Sequence, residues 1–134
     1  MRGNLMIALL GTAAALATPA HAQAQTTQLD VELTSEMWAL AGVCSQYSTY
    51  RVSNEALANW LNAELANAGN AVAVMDSKTA KLEEISAAAA AVSSSSSVTV
   101  REERSDRLTG SLMTRCRALT NNPVARAFFF TATG

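Results

Sequence analysis

Histidine is nearly absent from this sequence, and its single copy, His21, falls inside what reads as an N-terminal export leader. Removal of that leader leaves a chain without an imidazole, so the commonest general base and the commonest zinc ligand go together. Cysteine is almost as scarce. Cys44 and Cys116 are the two in the chain, too far apart to spell a C-x-x-C redox motif and without a histidine partner for metal. Aromatics make up 5% of the residues, and the apolar content rests instead on Ala, Leu and Val. Beyond the leader no segment approaches the roughly 18 consecutive apolar residues of a membrane-spanning helix. Also missing are a Gly-rich phosphate loop, an H-E-x-x-H pair, a C-x-x-C-H haem site, a G-x-S-x-G elbow and an Asp/Asn/Gly calcium loop. These absences leave no catalytic residue, metal site or cofactor to name, and they weigh against an enzyme.

What is present begins with the leader. Arg2 gives it a basic start, residues 5–16 an apolar run, and Ala20-His21-Ala22 a small-x-small cleavage site; Ala22-Gln23-Ala24 satisfies the same rule. Cleavage after Ala22 divides the chain into a signal peptide, 1–22, and one domain, 23–134, and sends the mature protein to the periplasm or outside the cell. The 134 residues less those 22 leave 112, enough for a single modest core. The mature charge is −2, from 9 Lys and Arg against 11 Asp and Glu, which suggests neither nucleic acid nor an anionic membrane as partner.

An even pair of cysteines in an exported protein reads as a disulfide. A bridge between Cys44 and Cys116 closes a 72-residue loop. Loop-closure entropy for that length is worth about 4 kcal/mol, a large share of a small domain's stability.

The remaining pattern is helical. Strand signals are confined to Val98-Thr99-Val100, whereas long stretches are rich in Ala, Leu, Glu and Arg. A first helix starts between Thr27 and Ser35 and ends near Tyr50, with Leu33, Met37, Leu40, Cys44 and Tyr47 on one face. A second runs from a Ser53 cap to Gly69, with Leu57, Trp60, Leu61, Leu65 and Ala68 inward. A third begins between Asn70 and Ser77 and turns in Met75, Leu82, Ile85, Ala89 and Val92, leaving Lys78, Lys81, Glu83 and Glu84 as a charged surface. Five serines at 93–97 end it as an internal linker. A fourth, from about Arg101 to Leu119, aligns Leu108, Leu112, Cys116 and Leu119, and Asn122-Pro123 opens a short helical or extended tail through Phe130. Four amphipathic helices with short connections predict an all-α antiparallel bundle in which sequential neighbours lie side by side. The first and fourth helices close the ring, which brings the two cysteines to facing stripes.

Three features carry the functional reading. Trp38 lies opposite the Leu40 and Cys44 side of its helix, among Gly42, Ser45 and Thr49. It is either covered by the Phe128–Phe130 tail, which needs a place to be buried, or an anchor for a partner protein or a second copy. Glu64 interrupts the apolar face of the second helix and calls for an ion pair, with Arg115 the candidate. Third, residues 101–126 hold six arginines against three acids, and Arg104, Arg107 and Arg115 share one edge. That edge suits a phosphate, a carboxylate or an acidic partner, or else it is matched within the molecule by acidic neighbours and by Glu103 pairing with Arg107. The resulting expectation is a non-enzymatic exported protein that binds a protein partner, as an accessory subunit, inhibitor or envelope-stress factor, with self-association left open. The alternative is a small-ligand carrier or an enzyme with a site between helices around Glu64 and Arg115.

Overall fold

The computed structural model describes residues 27–133; the expected signal peptide and both cleavage positions lie outside them. The chain is mostly helical, with α1 (Val31–Cys44), β1 (Tyr50–Val52), α2 (Asn54–Asn67), α3 (Ala71–Val92), α4 (Val98–Asn121), a 3-10 turn (Ala125–Ala127) and β2 (Phe129–Thr131). Asp30 caps α1 by accepting a hydrogen bond from the Leu33 amide, and Ser97 caps α4 by accepting from the Val100 amide. Between α3 and α4 the serine linker behaves as its chemistry dictates: Ser93 and Ser94 hydroxyls donate back to the Ala90 and Ala91 carbonyls as the helix ends.

The first helix is shorter than its apolar periodicity suggested. It stops at Cys44, where the Ser45 hydroxyl donates to the Ala41 and Gly42 carbonyls and tight turns carry the chain to Tyr50. Tyr50–Val52 then forms a strand antiparallel to Phe129–Thr131, pairing Tyr50 with Thr131, Arg51 with Phe130 and Val52 with Phe129. The phenylalanine tail is therefore the second strand of a ribbon, and the tryptophan it pairs with ring to ring is Trp60. Phe129 is buried, Phe128 packs against Trp60 with ring centroids 5.5 Å apart, and the Tyr50 hydroxyl donates to the Met113 carbonyl on α4.

Bundle order departs from the sequential ring. The most extensive helix contact is α1 with α3, followed by α3 with α4 and α1 with α4. Leu29 meets Asn70, Ser35 meets Ser77 and Trp38 meets Lys78, so α3 runs parallel to α1. Glu84 meets Arg115 and Ala91 meets Arg104, so α4 runs antiparallel to α3. α2 lies outside this trio and reaches the core through Leu57 and Leu61 and, less deeply, Trp60 and Leu65. The cause is composition: α1 carries apolar or small residues around most of its circumference and takes the centre, while α2 is Ala and Asn on its outer face.

Cys44 and Cys116 are joined, with Cα atoms 5.7 Å apart, and both are fully buried beside Met37, Leu40, Leu112 and Leu119. The disulfide expectation holds. So does the inward face of α4. The face of α3 holds only at Ile85 and Val92: Met75 and Leu82 are 48% and 41% exposed, Ala89 is exposed as well, and the inward row is Val74, Lys78, Lys81, Ile85 and Val92. A lysine buries its methylene stem while its ammonium reaches water or an acid, so the seam against α1 accepts two of them. At the other end of the trio, the strand-like contact of Thr27 with Ala68 and two hydrogen bonds between the Asn70 amide and the Leu29 backbone tie the start of the described chain to the α2–α3 turn.

Candidate functional site

Three places bring chemistry-bearing side chains together. The first is an ion-pair network across the trio. Arg115 of α4 donates to both carboxylate oxygens of Glu36 on α1, at 2.8 and 2.6 Å, and to Glu84 on α3 at 3.4 Å. Lys81 lies 3.4 Å from the same Glu36 and pairs with Glu32 as well. Burial alone would raise the Glu36 pKa, but the Arg115 hydrogen bonds and charge, aided by Lys81, outweigh it and hold the carboxyl below its ordinary value. Burial likewise opposes the charge on Lys81, and its bonds to Glu32 and Glu36 lift its pKa overall. The hydrogen bonds to Glu36 raise Arg115 further. Every charge here has an opposite neighbour, so the network is a structural clasp.

This arrangement corrects the sequence assignment of Arg115. Its carboxylate partners are Glu36 and Glu84, and Glu64 is not among them. The reason is topological: α4 packs on α1 and α3, and α2 is the outlying helix. Glu64 is half-buried on α2 and has no ion-pair partner among the described residues. The site imagined between Glu64 and Arg115 is therefore not assembled.

The second place is the arginine edge. Arg104 donates to the Ala91 carbonyl at 2.7 Å and to the Ser94 hydroxyl at 3.0 Å, which spends its guanidinium on the end of α3. Arg107 is exposed beside it, and both line a shallow depression against Ala88 and Leu108. Glu103 does not pair with Arg107; the ion pairs among the described residues all involve Lys81 or Arg115. The three arginines thus divide between a helix end, solvent and the clasp, and they do not converge on one anion.

The third place is built around Trp38. Because α2 stands away from α1, an open groove of about 350 Å³ remains between them. Trp38 and Ala41 form one wall, Leu57, Leu61 and Leu65 the other, and the amides of Asn54 and Asn62 stand on its rim. None of the side chains that line it is charged. Trp38 itself is half-buried, and the Lys78 ammonium of α3 sits 4.3 Å from its ring centroid. Trp38 was singled out by its lone aromatic bulk among small residues; Lys78, Asn54 and Asn62 were not. The spacing Val74, Lys78, Lys81, Ile85 held the signal for Lys78, hidden because charged residues are not counted into an apolar row.

Among the described residues no helix is long and apolar enough to cross a membrane, and no group of three or more His, Cys, Asp or Glu side chains is placed to hold a metal ion. No protein-family model, curated protein or solved structure matches this chain.

Proposed function

We propose that this is an exported, non-enzymatic helical protein that works by binding, and that it binds through the α1–α2 groove at Trp38. The groove carries the reading: half-buried Trp38 and Leu65 flank an open, uncharged cleft that Leu57 and Leu61, themselves packed into the core, also line. Export is supported by the buried Cys44–Cys116 disulfide, which belongs to an oxidising compartment, together with the leader pattern in residues 1–22. The non-enzymatic part rests on the lack of histidine beyond the leader and on the clasp, which neutralises Glu36 and Arg115 against each other.

A photo-crosslinking residue placed at Ala58, on the exposed lip of the groove, tests this. In the exported fraction it should yield an adduct of defined mass that Trp38→Ala abolishes, while the same group at exposed Asp106 on α4 yields none. Equal labelling at both positions, or an adduct indifferent to Trp38→Ala, overturns the groove as the binding site. Intact mass of the exported protein tests the leader: loss of 22 or 24 residues is expected, and a mature species that keeps Met1 overturns it.

A further inference from the structure

We infer that the groove takes a monomeric anionic amphiphile of the fatty-acid class, its apolar tail along Trp38, Leu57, Leu61 and Leu65 and its carboxylate at the Lys78 ammonium; this rests on the groove being the binding site. Size comes first. A cleft of about 350 Å³ lies within the range of small-molecule sites, on the order of 300 to 1,000 Å³, and is too small for a folded domain to enter. Form comes next. Leu57, Leu61 and Leu65 recur every four residues along about 12 Å of α2; Leu57 and Leu61 are almost wholly buried and form the floor, and half-buried Trp38 and Leu65 with exposed Ala58 border it, a narrow apolar strip that suits a linear tail.

Charge selects the head group. Three cations stand on the seams around α1: Lys78, Lys81 and Arg115. Lys81 and Arg115 each meet two carboxylates. Among the described residues Lys78 has none within 4.0 Å, and its ammonium rests on the Trp38 ring instead. An aromatic face holds an ammonium without neutralising it, so the charge stays available to an anion arriving beside the ring. Lys78 does not itself line the groove and meets it through the Trp38 ring, which the groove and the ammonium share. An apolar trough with no charge of its own and a single unmatched cation at its aromatic wall is complementary to a tail with one negative end.

Laurate and dodecanol, titrated below their micelle-forming concentrations into a Trp60→Phe variant whose sole tryptophan is Trp38, provide the test. Laurate should change the Trp38 emission saturably, and each methylene added from hexanoate to caprate should tighten binding about fourfold, with a smaller gain once the tail outruns the row of leucines. Lys78→Met should weaken laurate about three- to fivefold, leave dodecanol unchanged, and be rescued by Lys78→Arg. Lys78→Gln is the second neutral variant, and melting curves confirm that each is folded. Equal affinity for laurate and dodecanol with no effect at Lys78 overturns the anionic head. Binding only above the micelle-forming concentration, or only to phosphatidylglycerol vesicles, overturns the monomeric ligand. Failure of both ligands while Ala58 adducts still depend on Trp38 overturns the ligand class and leaves the groove standing; failure of both together with loss of those adducts removes the groove as well.

Discussion

Helices α1 and α2 have the same length, 14 residues, yet six residues of α1 are buried against two of α2. The difference lies in what covers each side. α1 meets α4 through Cys44 and the core leucines, and it meets α3 through the Ser35–Ser77 contact and the Lys81 pairs. In the first seam the apolar effect and a covalent bond act together; in the second, polar groups are satisfied one by one. The buried Ser35 hydroxyl donates to the Val31 carbonyl at 2.6 Å, which leaves Ser77 to donate to Ser35 at 2.8 Å. α2 has only one covered side, and the space along its margin is the groove. A helix that closes the core on one side only, through Leu57 and Leu61, leaves an open cleft along its margin.

The largest test of this contrast removes the covalent bond at the centre. Replacing both Cys44 and Cys116 with Ala should lower the unfolding free energy by about 4 kcal/mol, as read from denaturant melts. A loss under about 1 kcal/mol would show that α1 is held in place without its bridge to α4, since a 72-residue loop should carry far more than that.

Next in size is the clasp. Arg115→Met leaves Glu36 with Lys81 alone, and two charge-assisted hydrogen bonds are lost from a half-buried place, a cost of about 1 to 3 kcal/mol. Acid should remove the same contribution in the native protein. Glu36 titrates below its unfolded value, so its stabilisation is complete above the unfolded carboxyl range, about pH 4.3, and is lost as pH falls through the folded value. The stability gap between wild type and Glu36→Gln should therefore be flat between about pH 5 and 8 and close below about pH 4. Lys81 has the opposite sign. Its raised pKa keeps its contribution intact up to about pH 10 and loses it above. A gap that widened on acidification would contradict the geometry of the clasp.

How much of this was legible in the sequence follows from which interactions are local. Helix existence, the serine linker, the α4 stripe and the disulfide were legible, because periodicity, capping chemistry and cysteine arithmetic act over a few residues or through the export compartment. The β1–β2 ribbon was not, since Tyr50–Val52 finds its partner only at the far end of the chain. The placement of α2 outside the trio was hidden too. An apolar stripe says that a helix is covered on one side but not by which neighbour, and from that single error came the mistaken pairing of Glu64 with Arg115. The inward lysines of α3 were lost to a rule of thumb that counts every charge as surface. Of the candidate site, Trp38 was visible as an unusual residue; the cleft it lines was not, because a cleft is a relation between two helices.

The smallest expected effects on stability fall on Trp38 and Lys78, and they sharpen the comparison most. If α1 is buried evenly, Trp38→Ala should behave like emptying a core aromatic site, at about 3 to 5 kcal/mol. The structure divides the residue differently: one part of the ring is covered by Lys78 and the core, and another part forms the wall of an open groove. The loss should then be about 1 to 2 kcal/mol, in proportion to the area that is hidden from water at about 25 cal/mol per Å². Lys78→Met keeps most of the stem over the ring and loses the cation–π contact, a cost of about 0.5 to 1 kcal/mol. Melting curves for the two variants separate the cases without knowledge of any ligand. A full core-sized loss at Trp38 would mean that α1 is enclosed on the α2 side as well, and the groove would be a fault in packing with no room for a guest.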